Sequence, residues 1–176
     1  MDTEQQIKAF EDGKIDIGFS RPFPKEHAKD FRTEVVYEER LEIVLPADHA
    51  LASRSVVNLK DVAGENFVEY HRRGSTALFN EVKAICRKAG FSPKAIIEFE
   101  EMSAVIMAVE SGIGVSLTLG FVRGMLSHQL VVRQIKPASS EIPLCAIWPA
   151  CPQAPVLESF LEVLKANKPK LRKNME

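Results

Sequence analysis

The chain has 176 residues, 45% hydrophobic and 27% charged, with 23 Lys and Arg against 24 Asp and Glu, a formal charge of −1. This size allows one ordinary domain or two small lobes, and the composition excludes disordered, collagen-like and mucin-like classes. No apolar run approaches the roughly 20 residues of a membrane helix, and the basic excess of a domain that grips nucleic-acid phosphates is missing.

Thr3-Glu4-Gln5-Gln6 reads as a capping box with Thr3 as N-cap, opening a helix that carries Ile7 and Phe10 and stops at Gly13. Ile15–Phe19 reads as a strand closed by Ser20-Arg21-Pro22-Phe23-Pro24, and Val35–Leu45 as one longer extended segment ended by Pro46. Phe67–Tyr70 is a short strand. After the polar loop His71-Arg72-Arg73-Gly74, Ser75 or Thr76 caps a helix whose apolar residues Leu78, Val82, Ile85 and Ala89 follow 4-3-4 spacing, with Gly90 as its stop. Strands at Ala95–Phe99, Val115–Leu119, Leu130–Ile135 and Ile142–Trp148 alternate with helices at Ser103–Glu110 and Phe121–Leu126. Pro155 starts a last helix, Val156–Ala166, with Leu157, Phe160, Leu161 and Leu164 toward the core, and the basic residues from Lys165 to Lys173 read as a solvated end. Such alternation predicts an α/β architecture with largely parallel sheets.

The N-terminus lacks the basic and apolar regions of a secretory signal, so a cytoplasmic protein is expected. Cys86, Cys145 and Cys151 have no Cys-x-x-Cys spacing and suggest neither a disulfide framework nor zinc; Cys86 and Cys145 read as small buried hydrophobes. Gly112-Ile113-Gly114 runs helix, glycines, strand, the reverse of a dinucleotide-binding loop, and is a helix stop. Gly114-Val115-Ser116-Leu117-Thr118 lacks the second glycine of a nucleophile elbow. The four histidines have no metal-ligand spacing, and Glu98, Glu100 and Glu101 read as a solvated face. No catalytic constellation, metal site or cofactor is expected. What remains is a hydroxyl at two helix starts, Thr3 and Ser75/Thr76, the latter preceded by Arg72, Arg73 and Gly74. Free N–H groups and the positive dipole end at such positions suit a small carboxylate, although ordinary capping explains them equally well.

Gly13–Arg21, Glu38–Ala52, the run from Ser103 to Thr118 with Glu110-Ser111-Gly112-Ile113-Gly114, and Ile142–Trp148 followed by the helix with Phe160 together resemble the effector-binding module of LysR-type transcriptional regulators, over roughly Thr3 to Ala166. The resemblance implies a two-lobed fold like a type 2 periplasmic binding protein. Its lobes would be joined by two crossing segments, near Glu38–Arg40 and near Trp148, with an effector between them. On this sequence lobe one would be 1–39 plus 149–176, its first strand and helix missing, and lobe two 40–148, with no DNA-binding domain in the chain. The likeness is greatest to regulators of aromatic-compound degradation, which implies a small acid effector, aromatic or dicarboxylic.

Carried over residue by residue, the effector site would comprise Thr3 and the stretch Arg72, Arg73, Gly74, Ser75, Thr76 and Leu78. Phe19, Ser20, Arg21 and Thr118 would be secondary contacts. The loop departs from the Pro-rich form of some relatives. The resemblance further implies homodimers of this module and tetramers of the whole regulator, DNA contact only through a winged helix-turn-helix outside the chain, and no membrane partner; it allows RNA polymerase as a further partner. The competing reading is an enzyme on a binding-protein-like fold acting on a small anion, with His71 and Glu101 as its acid/base groups. A free-standing solute-binding protein is a third, disfavoured by the absent signal.

Overall fold

The computed structural model describes residues 1, 3–21, 27, 29–71, 76–151 and 155–173. Helix α1 spans Thr3–Glu11, α2 Thr76–Lys88, α3 Met102–Glu110 and α4 Pro155–Lys173. The strands are β1 (Gly18–Ser20), β2 (Phe31–Glu39), β3 (Glu42–Pro46), β4 (Val56–Asn58), β5 (Phe67–Tyr70), β6 (Ile96–Phe99), β7 (Ser116–Thr118), β8 (Leu130–Lys136) and β9 (Ile142–Pro149). Short 3-10 turns cover Leu59–Val62 and Gly120–Met125. No helix among the described residues is long and apolar enough to cross a membrane.

The chain divides into two compact units, Met1–Glu39 with Ile142–Glu176, and Arg40–Glu141. In unit 1, β9 lies between β1 and β2 and runs antiparallel to both. Strand alternation gives β9 two different faces. Cys145 and Ile147 meet Phe10 of α1, while Ala146 and Trp148 meet Leu157, Leu161 and Leu164 of α4. Burial of each such side chain contributes about 1.5–3 kcal/mol, so the sheet is held from both sides. Ile142–Trp148, assigned to lobe two by the resemblance, therefore sits at the centre of unit 1, and the second crossing falls at Glu141/Ile142.

Unit 2 has the strand order β4-β8-β3-β7, with β3 antiparallel to β7 and β8 and β4 parallel to β8. Parallel β5-β6 joins it at a parallel bridge between Phe67 and Val115. Val105 and Val109 of α3 pack on Val44, Val68 and Val132. On the other face, the Phe67 ring lies 6.0 Å from Phe91, just beyond α2, whose Val82, Ile85 and Cys86 are buried.

The expectation of largely parallel sheets is thus corrected. Alternation of helix and strand implies parallel crossovers only within one unit; β9 re-enters unit 1 from the other direction, and β3 is antiparallel to both its neighbours. The long extended segment is two strands, because Arg40 and Leu41 leave the first unit and enter the second. Gly13, Gly90 and Gly112 do stop their helices, with φ of 63°, 89° and 74°. At each, the glycine N–H bonds back three residues and the next N–H five, the Schellman pattern that requires a left-handed residue. Another expectation fails: Phe160 is 41% exposed, one helical step off the buried stripe of α4. The last helix runs past Ala166 to Lys173; Lys165 and Lys170 there are exposed, and Lys168 pairs with Glu34 of β2.

Candidate functional site

Unit 1 brings together the start of α1 and the end of β1. Gln6 is buried on α1, and its amide donates to the Phe19 carbonyl at 3.0 Å and the Met1 carbonyl at 3.4 Å. The expected capping box does not form; Gln6 turns across to β1 instead of back along its own helix. Glycine at position 18 gives the Gln6 amide its place, since a Cβ there would lie 2.3 Å from Gln6 Oε1 and push the amide aside. This close approach sets Thr3 Oγ1 2.9 Å from Ser20 Oγ. Ser20 Oγ also donates to the Arg21 carbonyl at 3.1 Å, so the bridging proton comes from Thr3. An incoming carboxylate can accept that proton, at the N-terminal end of a helix where negative charge is favoured.

Two candidates in this unit point elsewhere. Phe19 follows strand alternation onto the face opposite Ser20, and is 42% exposed there. Arg21 is turned to the two ends of the chain crossing. Its guanidinium pairs with Glu39, donates to the Ile142 carbonyl at 3.3 Å and the Tyr37 hydroxyl at 3.4 Å, and stands 5.4 Å from the Tyr37 ring centre. Both side chains of the ion pair are largely buried, 14% and 8% exposed. Burial pushes the Tyr37 phenol up, and the Glu39 carboxylate adds to this against the opposing Arg21 charge.

In unit 2, Arg72, Arg73, Gly74 and Ser75 lie outside the described residues. Thr76 is the exposed first residue of α2, and Leu78 is buried in its first turn. Thr118 closes β7 opposite Glu42, whose carboxylate pairs with Arg123 at 2.6 Å. The Thr118 hydroxyl, and that of Ser116 on the same face, are buried without a hydrogen-bond partner among the described residues. Beside them Glu69 of β5 is 3% exposed and accepts from the Leu117 N–H at 3.0 Å, where strand pairing between β5 and β7 ends. Burial pushes its carboxyl well up, against the partial relief of that one hydrogen bond. The same burial, with the Glu69 charge, raises the Cys86 thiol to about 12. Cys86 and Cys145 are both buried, as their apolar surroundings in sequence imply.

In the sequence Gln6 reads only as a capping residue and Ser116 only as part of a rejected nucleophile elbow, while Glu69 has no role. Glu69 carried one usable signal: a lone acid inside an apolar tetrapeptide, Phe67-Val68-Glu69-Tyr70. For the enzyme reading, His71 donates its backbone N–H to the Phe99 carbonyl and Glu101 occupies the N-cap of α3 without a side-chain cap bond. Among the described residues no group of three or more His, Cys, Asp or Glu side chains is placed to hold a metal.

A family described as the LysR substrate binding domain matches residues 1–169. The chain is similar to the HTH-type transcriptional regulator TfdS of Cupriavidus pinatubonensis, 27% identical over 96% of this chain and 56% of that protein. It therefore spans about half the length of the curated relatives it matches. Among solved structures, the BenM effector binding domain with its effector benzoate aligns with a TM-score of 0.78 at 21% identity, covering 94% of this chain and 75% of that one. Full-length CbnR complexed with its target DNA aligns with a TM-score of 0.82 at 20% identity, covering 96% and 58%.

Proposed function

The chain belongs to the LysR substrate-binding domain family, and we propose that it senses a small aromatic or dicarboxylic acid for a transcriptional regulator. The observation that carries this reading is the Thr3–Ser20 hydroxyl pair at the start of α1, whose bridging proton can be redirected from Ser20 to a carboxylate. The family resemblance adds Arg72, Arg73, Gly74, Ser75, Thr76 and Leu78 as candidates, and the Thr118 hydroxyl has no partner among the described residues. Benzoate as the effector of a structural neighbour supports the acid class. Phe19 has no part in holding the acid, and Arg21 acts as a positioning residue through Glu39 and Ile142.

Bound acid biases the regulator only by its differential affinity for two forms of the protein. Operator DNA is read, in this proposal, by a helix-turn-helix outside these 176 residues, in a cytoplasmic regulator whose sensing modules pair. The names of the relatives as HTH-type regulators support that assignment over the enzyme reading.

Isothermal titration of the chain with benzoate and with cis,cis-muconate tests the proposal. Saturable binding of at least one acid is expected, weakened about 10- to 100-fold in Thr3→Val, the value of a hydrogen bond to a charged group. Absence of binding with both acids overturns the acid class, and unchanged affinity in Thr3→Val overturns the site.

A further inference from the structure

Unit 2 contains a cavity of about 520 Å³ lined by Ser53, Arg54, Ser55, Arg123, Arg133 and Gln134. Its volume lies in the range of small-molecule sites, roughly 300–1,000 Å³. Each arginine has a structural task that uses little of its hydrogen-bonding capacity. Arg54 Nη1 donates to Asp61 at 3.0 Å and Arg123 Nη2 to Glu42 at 2.6 Å. Arg133 donates through Nε to the Ala52 carbonyl and through Nη1 to the Val132 carbonyl, both at 2.8 Å. A guanidinium carries five N–H donors, so most remain without a partner among the described residues. The Ser53 and Ser55 hydroxyls, on either side of Arg54, have none either.

Charge points the same way. Three guanidiniums face this cavity, and the two carboxylates beside it, Glu42 and Asp61, are each already engaged by one of them. Arg133 is the least expected of the three. It sits on β8, flanked by β3 and β4, where an apolar residue would complete the sheet, and two backbone carbonyls hold its fork in place. Fixed planar forks with spare paired donors suit two-oxygen recognition of carboxylate or phosphate.

We propose that this cavity is an oxyanion site for a small dianion, phosphoryl or dicarboxylate, independent of the Thr3–Ser20 group. Arg54 and Arg123 are 54% and 47% exposed, so binding is weak and falls with added salt. Nitrogen-15 chemical shifts of the chain, followed at constant ionic strength during separate titrations with inorganic phosphate and with malonate, test it. Saturable shifts at the Ser53–Ser55 and Gln134 amides are expected with at least one dianion, and the better of the two tells a phosphoryl ligand from a dicarboxylate. Gln134→Glu, which places a carboxylate at the cavity without breaking any ion pair, and the Arg54→Gln/Arg123→Gln double variant should each weaken binding at least tenfold. Thr3→Val should leave it unchanged, which separates failure here from failure of the acid-sensing proposal. Shifts that grow linearly with both dianions and match a chloride control, or an undiminished affinity in Gln134→Glu, overturn the proposal.

Discussion

Each unit buries a carboxyl group in its own way. In unit 1, Glu39 is matched by the Arg21 guanidinium, which also ties down Tyr37 and the Ile142 carbonyl. In unit 2, Glu69 accepts one backbone N–H and has no counter-charge among the described residues, where two buried hydroxyls nearby also lack a partner. A paired buried charge is costly to disturb from either side, whereas an unpaired carboxyl lowers its own cost by holding its proton. Unit 1 is thus organised around a charge that must stay, and unit 2 around one that folding suppresses.

The sharpest way to break this contrast is Arg21→Ala, which takes the guanidinium away from the buried Glu39 carboxylate. A loss of about 3–5 kcal/mol is expected in urea unfolding, with much of it recovered in Arg21→Met/Glu39→Leu, where no unmatched charge remains. If the single variant loses less than about 1 kcal/mol, the pair is not what secures the crossing strands. Next comes Gly18→Ala. The new methyl group forces the Gln6 amide off the Phe19 carbonyl and crowds Phe10, at a cost of about 1–3 kcal/mol, and should weaken acid binding through the displaced Ser20.

Glu69 predicts a pH dependence with a definite sign. Its carboxyl in the folded chain titrates above its unfolded value, so its stabilising contribution is complete below the unfolded value and is lost as pH rises through the folded one. Melting temperature should decline over that window with a slope of at most one proton, about 1.4 kcal/mol per pH unit, and Glu69→Gln should flatten it. An unchanged slope would mean that Glu69 keeps its charge in the fold. The smallest effect is Thr118→Val. Removing a buried hydroxyl that has no partner among the described residues should leave stability unchanged or raise it by about 1 kcal/mol, while acid affinity falls if the hydroxyl serves the effector. Thermal melts and titration on the same sample separate the two.

Much of this was readable in the sequence wherever the controlling interaction is local. The 4-3-4 spacing of Leu78, Val82, Ile85 and Ala89 marks α2, and the three glycine stops are where the backbone turns left-handed. Thr3 and Ser20 were both picked out. Their contact was not, because it depends on Gln6 and Gly18 meeting across two elements. Arg21 was read as a contact for the effector since its partner stands 18 residues away on another strand. Glu69 stands out only as a lone acid in an apolar tetrapeptide, because the burial of β5 comes from α3 and β7, elements distant in sequence. The largely parallel sheets failed for a related reason: strand direction in unit 1 is decided by β9, over 100 residues from its partners.

That central position of β9 has a consequence for biosynthesis. Arg40–Glu141 is one continuous stretch and can fold as soon as it has left the ribosome. The first 39 residues cannot, because the strand that joins β1 to β2 has yet to be made. At about 5–20 residues per second they wait on the order of ten seconds, with Phe10, Phe31 and Val36 uncovered, while the rest of the chain is translated. Chaperone capture of nascent chains should therefore concentrate on this early segment and end once α4, which packs on Val36, has emerged.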